Sequence, residues 1–120
     1  MVGGTSKVWR TSDGGSTWTE VFFYPGVLIK DIEIDATGRG FMLGDPWNGK
    51  WSLYKSFDFG QTWDSSGIYL PESGNEETFN NSLFISGLKY FFPTDNSRIY
   101  YSEDTGTTWI DIPVQLVNTS

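Results

Sequence analysis

One eight-residue pattern occurs three times in this 120-residue chain and constrains its fold more than any other feature. The copies occupy 11–18, 56–63 and 102–109, and all fit Ser/Thr-x-Asp-x-Gly-x-Thr-Trp. Their aspartates are 45 and 46 residues apart. Self-similarity at a period of about 20 to 50 residues is typical of repeat architectures. The chain is therefore predicted to consist of repeated structural units.

Each copy lies between two strand-like runs of aromatic and β-branched residues, which predicts a hairpin centred on the aspartate. The aspartate can accept hydrogen bonds from its own turn, and the glycine can take a positive φ. The tryptophan is a large apolar side chain with one donor to satisfy. Structural roles are therefore predicted for Asp13, Gly15, Thr17, Trp18, Asp58, Gly60, Thr62, Trp63, Asp104, Gly106, Thr108 and Trp109.

The spacing of the copies predicts the size of the repeating unit. A period near 45 residues leaves room for about four short strands and their turns, which is the size of a propeller blade. Ten strands are predicted, at 7–10, 19–22, 27–35, 41–44, 51–55, 64–67, 82–85, 90–92, 98–101 and 110–112. No segment has the periodicity and caps of a helix.

The three octapeptides resemble the Asp-box, also called the bacterial neuraminidase (BNR) repeat, at their Ser/Thr, Asp, Gly, Thr and Trp positions. Sialidases, sortilin-type receptors, xyloglucan-cleaving propeller glucanases and photosystem II assembly-factor-like proteins carry this repeat. The resemblance implies an all-β, partial β-propeller in which the box is the hairpin between strands 3 and 4 of a four-stranded antiparallel blade. It also implies that the boxes lie away from any active site.

The length predicts about two and a half blades rather than a complete ring, because propellers usually have at least about four. We expect a half-blade at 1–23, full blades at 24–67 and 68–114, and a tail at 115–120. The expected partners are further blades, either from the same parent chain or from copies of this one, because repeat units bury their faces against neighbours.

Composition excludes several classes of function. The net charge of −7 argues against a nucleic-acid partner, whose phosphates would be repelled. The chain has no Cys and no His, so thiolate ligands and His-dependent catalysis are absent, and we predict no metal, cofactor or catalytic residue. No apolar run approaches 18 residues, so no membrane insertion is expected. The 21 aromatic residues are expected to lie mostly in the core.

A location outside the cell or on its surface is expected from the resemblance. Met1–Gly4 lacks the charged and apolar regions of a signal peptide, so we do not expect one in this chain.

Two loops are predicted to share the ligand face of the propeller. In propellers that carry this repeat, the loops between strands 2 and 3 lie opposite the box hairpins. The candidate binding residues are Asp45, Trp47, Asn48, Trp51, Asn96 and Arg98. Trp47 and Trp51, beside Asp45 and Asn48, would suit a sugar, which stacks on an aromatic ring while polar groups bind its hydroxyls. The alternative is that Trp51 packs between blades and Trp47 only covers a loop.

An enzyme is the less favoured interpretation. Sialidases place three arginines around the substrate carboxylate, but the arginines here lie beside the octapeptides or in a tight turn, in a different sequence context. A glucanase needs two facing carboxylates. The candidates by residue type alone are Asp31, Asp35, Asp45, Glu76 and Glu77.

The sequence therefore predicts a non-catalytic β-propeller module for binding or scaffolding, which recognises carbohydrate or protein. The alternative is a fragment of a propeller glycoside hydrolase. A third hypothesis is an assembly factor that binds a basic protein partner.

Overall fold

A computed structural model describes residues 6–72 and 76–113 of the chain. Nine strands, and no helix, are present in these ranges. The strands are β1 Lys7–Arg10, β2 Thr19–Phe23, β3 Ile29–Ile34, β4 Gly40–Trp47, β5 Lys50–Ser56, β6 Phe84–Ser86, β7 Lys89–Pro93, β8 Arg98–Ser102 and β9 Ile110–Pro113.

The strands form three antiparallel sheets that follow one another along the chain. The first sheet is β1-β2, the middle sheet is β3-β4-β5 and the last sheet is β6-β7-β8-β9. Neighbouring strands in each sheet are consecutive in sequence, as in a meander. The all-β prediction is therefore confirmed.

The predicted strand at 64–67 is wrong, so the middle sheet has three strands instead of four. A single bridge between Lys55 and Asp64 remains of it. The chain turns immediately afterwards, because Oδ1 of Asp64 accepts hydrogen bonds from the backbone and hydroxyl of Ser66, at 3.2 and 2.9 Å. Asp, Ser and Gly favour such local turns over a sheet ladder.

Two further boundaries differ from the prediction. β4 continues to Trp47 and β5 begins at Lys50, so the predicted loop at 45–50 is mostly strand. β6 begins at Phe84 rather than at residue 82. The preceding backbone is bonded to the middle sheet instead, since Leu83 N donates to Oδ2 of Asp31 at 2.9 Å.

The three octapeptides form hairpin turns with the same internal hydrogen bonds. In the last copy, the Ser102 hydroxyl donates to Oδ1 of Asp104 at 2.7 Å and accepts from Gly106 N at 2.8 Å. The hydroxyl of Thr108 donates to Oδ2 of Asp104 at 2.6 Å, and Trp109 Nε1 donates to the Gly106 carbonyl at 2.8 Å. The equivalent bonds occur in the other two copies. Each turn is thus held together within eight residues.

The hydrophobic core lies between the middle and last sheets. Phe41 contacts Tyr90 at a ring-centroid distance of 5.2 Å, and Trp51 contacts Phe92 at 4.9 Å. The remaining buried members are Leu43, Leu53, Ile68, Leu70, Leu83 and Tyr100. Edge-to-face aromatic pairs of this kind add to the stabilisation from apolar burial.

The first sheet packs on the opposite face of the middle sheet. Phe22 contacts Tyr54 with ring centroids 4.8 Å apart, and Arg10 Nε donates to the Phe59 carbonyl at 2.8 Å. A cavity of about 370 Å³ lies along this contact. A second cavity, of about 310 Å³ and lined among others by Tyr90, lies between the middle and last sheets, so neither contact between sheets is completely filled.

The expectation that the aromatic residues lie mostly in the core is wrong. Many large apolar side chains are exposed in the described part of the chain, including Trp9, Trp18, Phe23, Tyr24, Trp47, Phe57, Phe59, Tyr69, Phe79 and Phe84. A chain of three sheets in a row leaves the two terminal sheets without a neighbour on one side, which accounts for part of this exposure.

Candidate functional site

The β4–β5 hairpin carries the candidate aromatic residues. Its turn is formed by Asn48 and Gly49, whose φ angles are 58° and 84°. The register shifts between Gly44 and Trp47. Bulges of this kind redirect side chains at the ends of sheets. The Trp47 side chain is 46% exposed, and its indole lies against Gly26, where a β-carbon would clash with the ring.

A cavity of about 170 Å³ lies beside this hairpin. Three of the six predicted binding residues line it: Trp47, Asn48 and Trp51. Tyr24 and Lys50 also line the cavity and were not predicted from the sequence. The exposed aromatic ring of Tyr24 precedes a Pro-Gly turn, and only the packing of the first sheet brings it to this hairpin.

Trp51 is a core residue at the inner wall of the cavity. Its side chain is 2% exposed and contacts Phe92 and Tyr100, at ring-centroid distances of 4.9 and 5.6 Å. It packs between the middle and last sheets, as in the alternative interpretation of the sequence. The Trp51 indole N–H has no hydrogen-bond partner among the described residues. A ligand would therefore meet Trp47 and Tyr24 before it met Trp51.

Asp45 joins the middle sheet to the segment that begins at residue 76. Its Oδ2 lies 3.3 Å from Nζ of Lys30, and both side chains are largely buried. Its Oδ1 accepts a hydrogen bond from Thr78 N at 2.9 Å. Because both carboxylate oxygens already have partners, Asp45 positions a loop in this structure.

Arg98 belongs to a network centred on Glu76, whose side chain has no exposed surface. Oε2 of Glu76 accepts from Arg98 Nε at 3.0 Å and from Thr94 Oγ1 at 2.8 Å, and its Oε1 accepts from the Tyr100 hydroxyl at 3.3 Å. Arg98 Nη1 donates to Asp111 at 2.6 Å. Sequence reasoning named Glu76 by residue type alone and missed its central place in this network.

Asn96 is exposed on the turn between β7 and β8, and its backbone N donates to Thr94 Oγ1 at 3.2 Å. Neither Asn96 nor Arg98 lines the cavity beside Trp47. The predicted residues thus form two groups. One group is the aromatic hairpin, and the other is the Glu76–Arg98 network, which contacts Trp51 through Tyr100.

Backbone hydrogen bonds, together with the bond from Thr78 N to the Asp45 carboxylate, join the segments around these residues into one surface, which we name the loop face (45–51, 70–72, 76–78 and 94–98). Trp51 N donates to the Leu70 carbonyl at 2.9 Å, and Asp95 N donates to the Glu77 carbonyl at 2.9 Å. β5 begins at this face and ends at an octapeptide hairpin. The hairpins therefore lie at the opposite end of the sheets from the loop face.

The loop face is predominantly acidic. It carries the exposed side chains of Glu72, Glu77 and Asp95, whereas Lys50 is its exposed cation within the described ranges. Arg98 is paired with Glu76 and Asp111. An acidic surface of this kind attracts positively charged partners, and salt screens the attraction.

Two findings bear on other kinds of site. The parts of the chain that the structure describes contain no group of three or more His, Cys, Asp or Glu residues arranged to hold a metal ion. Within the same residues, no helix is long and apolar enough to cross a membrane.

The successive antiparallel sheets, which pack face to face, define the fold as part of a β-propeller. Solved structures support this class. The chain is similar to YCF48 from Cyanidioschyzon merolae, with 20% identity and a TM-score of 0.58 over 83% of this chain and 28% of that one. It is also similar to YCF48 bound to D1 peptide, with 20% identity and a TM-score of 0.61 over 92% of this chain and 34% of that one.

The chain spans about a third of the length of these structures. At this identity the similarity shows a common fold and nothing more specific. No protein-family model matches the sequence, and no curated protein is significantly similar to it.

Proposed function

We propose that this chain is a non-catalytic β-propeller scaffold whose loop face binds an extended, basic segment of a partner protein. The observation that carries the proposal is the exposed indole of Trp47, beside Tyr24, at the mouth of a cavity on an acidic surface. Rigid aromatic side chains supply much of the energy in protein recognition, while surrounding charges select the partner and accelerate association.

The charged groups of the site support binding more than hydrolysis. Asp45 and Glu76 are largely buried and already paired with Lys30 and Arg98. A glycosidase needs one carboxyl group as an acid and a second, facing one as a nucleophile or base. Carboxylates committed to structural ion pairs are poorly suited to these roles, so the glycoside hydrolase is the weaker alternative.

The similarity to YCF48 bound to D1 peptide adds support, since that related fold holds a peptide. An extended peptide suits the loop face because the exposed ring of Trp47 and the acids Glu77 and Asp95 lie on separate segments of it. A partner with apolar and basic residues along one strand could contact both. The net charge of −7 favours the same kind of partner.

The proposal is tested with two fluorescein-labelled 12-residue peptides, one alternating Lys with Leu and the other alternating Glu with Leu. Fluorescence anisotropy should show binding of the lysine peptide, weakened by salt. Trp47→Ala should reduce its affinity about tenfold, as expected for an aromatic residue at a recognition site. The control is Phe57→Ala, which removes an exposed aromatic of the second octapeptide, at the opposite end of the sheets from the loop face. Equal affinity of Trp47→Ala and wild type would contradict the proposal.

An oligosaccharide is the second candidate ligand, because the exposed Trp47 ring lies next to the Asn48 amide. A sugar that stacks on the indole would quench Trp fluorescence with little dependence on salt. Quenching by cello- or xyloglucan oligosaccharides that is lost in Trp47→Ala would favour this candidate. It would be distinguished from peptide binding by its insensitivity to salt.

The octapeptides fit this proposal as Asp-box hairpins that frame the blades, with the binding surface at the other end. The proposed ring is completed by further blades, from the same parent chain or from copies of this one. A location outside the cell or on its surface is part of the same proposal. Detection of the intact protein by antibody on unpermeabilised cells would test the location.

A further inference from the structure

Two sheet faces at the ends of the structure lack a neighbour among the described residues. The C-terminal outer face is the side of the last sheet that carries Phe84, Phe91, Ile99, Tyr101, Ile110 and Ile112. The N-terminal outer face is the side of the first sheet that carries Lys7, Trp18 and Phe23. We propose that a second copy of this chain covers the C-terminal outer face with its N-terminal outer face, so that two copies associate head to tail.

The strand register shows which internal surface the C-terminal outer face corresponds to. Phe41 pairs with Lys55, directly before the hydroxyl residue Ser56. Phe91 pairs with Tyr101, directly before Ser102, and so occupies the same place in its sheet. Phe41 is buried under the last sheet, whereas the face around Phe91 is open. The C-terminal outer face is therefore equivalent to a face that is covered elsewhere in this chain.

The covered face shows what kind of surface fits on it. Trp109 contacts Phe41 at a ring-centroid distance of 6.0 Å, and its Nε1 donates to the Gly106 carbonyl. Trp18 makes the same hydrogen bond, to the Gly15 carbonyl at 3.0 Å, and so has the same orientation relative to its own turn. Its side chain is 56% exposed. The N-terminal outer face thus presents Trp18 in the position from which Trp109 contacts the middle sheet.

The residue directly before each of the first two octapeptides also contacts the following sheet. Arg10 Nε donates to the Phe59 carbonyl at 2.8 Å, and Lys55 Nζ donates to Thr107 Oγ1 at 2.6 Å. Tyr101 is the residue directly before the third octapeptide, and in the proposed dimer it would meet the first octapeptide of a second copy. A phenol in place of a cation makes this contact more apolar than the internal ones.

The stack of faces has a direction, because each sheet presents one side to the sheet before it and the other side to the sheet after it. Contacts between unlike faces form closed rings or open filaments. If the two-stranded first sheet is counted as a blade, two copies supply six blades, within the range of about four to eight found in propellers. Three copies would supply nine and exceed that range, so we expect a closed dimer.

This inference rests on the proposed ring but not on recognition at the loop face. The head-to-tail dimer and the binding of a basic peptide at the loop face should respond to salt in opposite ways. Each copy carries a net charge of −7, so salt should strengthen an apolar contact between copies by screening their repulsion. Salt should weaken the binding of a basic peptide. A monomer that still binds the lysine peptide through Trp47 would therefore overturn the head-to-tail dimer and leave the proposed recognition intact.

Sedimentation equilibrium of Trp18→Glu, Phe91→Glu and their equimolar mixture tests the direction of the contact. Wild type should have twice the monomer mass of 13.6 kDa. Each variant alone should lose about thirtyfold or more in dimerisation affinity, as expected for a central interface aromatic. The mixture should regain association, because the intact C-terminal face of one variant can bind the intact N-terminal face of the other.

Tyr69→Glu is the matched control, since it replaces an exposed aromatic on neither outer face, and its mass should equal that of wild type. Circular dichroism and thermal unfolding should show that every variant is folded. A variant that unfolds is replaced by Phe23→Glu on the N-terminal face or Phe84→Glu on the C-terminal face, both exposed positions. A monomeric wild type, dimers of either single variant, or a mixture that stays monomeric would overturn the inference.

Discussion

At the scale of single residues, the octapeptide turns depend on a few hydroxyl and carboxylate groups whose environments differ. Ser56 and Ser102 are almost completely buried, whereas Thr11, in the same position of the first copy, is partly exposed. Hydrogen bonds contribute more when their loss leaves a buried group without a partner. The three octapeptide turns therefore share the same hydrogen bonds but differ in how deeply their first residue is buried, which allows the effect of burial to be measured within one protein.

Ser102→Ala should destabilise the protein by roughly 1–3 kcal/mol, because it leaves the Gly106 N–H buried without its acceptor. Thr11→Ala removes the equivalent bond to Gly15 N in a solvated turn and should cost less. Chemical denaturation of both variants measures the difference. Equal losses would show that burial of the turn has no influence on its contribution to stability.

The pH dependence of stability should reflect the turn aspartates. Hydrogen bonds from Thr62 and then from Ser56 lower the pKa of Asp58 to about 2. For Asp104, partial burial acts upward, but the bonds from Thr108 and Ser102 prevail and its pKa is also about 2. A lowered folded-state pKa stabilises the fold above the usual value of 3.8, and that stabilisation is lost as the pH falls toward 2.

The melting temperature should therefore fall between pH 4 and pH 2, and fall less in an Asp58→Asn, Asp104→Asn double variant. Glu33 acts in the opposite direction, because its hydrogen bond to Asp31, with burial, raises its pKa from 4.5 to about 7. Its contribution to folding stability is complete below pH 4.5 and is lost as the pH rises to 7. Glu33→Gln should therefore reduce the pH dependence of the melting temperature only between pH 4.5 and 7. Thermal scans from pH 2 to 8 separate the two effects, and an unchanged acid slope in the double variant would contradict the first.

At the scale of elements, glycine at the fifth octapeptide position decides how closely a hairpin approaches the neighbouring sheet. Gly106 has a φ of +89°, and a β-carbon there would lie 2.5 Å from Phe41 Cε1. Gly15 has a φ of +99° in the first copy, but the nearest atom to its β-carbon would be 3.7 Å away. Both positions need the left-handed conformation, and only Gly106 also needs the space.

Gly106→Ala should cost about 1–3 kcal/mol more than Gly15→Ala, since overpacking at Phe41 adds to the backbone strain that both variants share. Urea denaturation of the two proteins measures this difference directly. Equal destabilisation would indicate that the Phe41 ring moves aside without cost and that the turn conformation alone requires glycine.

At the scale of the whole molecule, the Glu76–Arg98 network connects the segment from residue 76 to the last sheet. Glu76 is completely buried and accepts three hydrogen bonds. It also places the loop face beside the core, because Tyr100 contacts both Glu76 and Trp51. Loss of its charge should therefore affect the fold as a whole.

Glu76→Gln should destabilise the protein by roughly 1.5–3 kcal/mol, the range for hydrogen bonds to charged groups. The amide keeps the shape of the carboxylate but loses the ion pair with Arg98. Glu77→Gln, at an exposed neighbouring position, is the control and should change stability little. The two variants are compared by thermal and chemical unfolding, and identical behaviour would show that the network is not important for stability.

Much of the architecture follows from the sequence because its determinants are local. The hydrogen bonds of each octapeptide connect residues four or fewer positions apart, so the hairpins could be predicted from one short pattern. Repetition at a nearly constant spacing then indicated equivalent sheets. The strand predicted at 64–67 failed for an equally local reason, since Asp64 and Ser66 form a turn that competes with the ladder.

The candidate site depended on contacts between distant parts of the chain, which no sequence pattern encodes. Asp45 binds Thr78 across 33 residues, and Arg98 binds Glu76 across 22. The sequence by itself determined the turns and the all-β class, because backbone and side-chain bonding within a few residues specifies them. Only the tertiary structure decided that Trp51 is buried and Trp47 exposed, because the packing of neighbouring sheets sets burial.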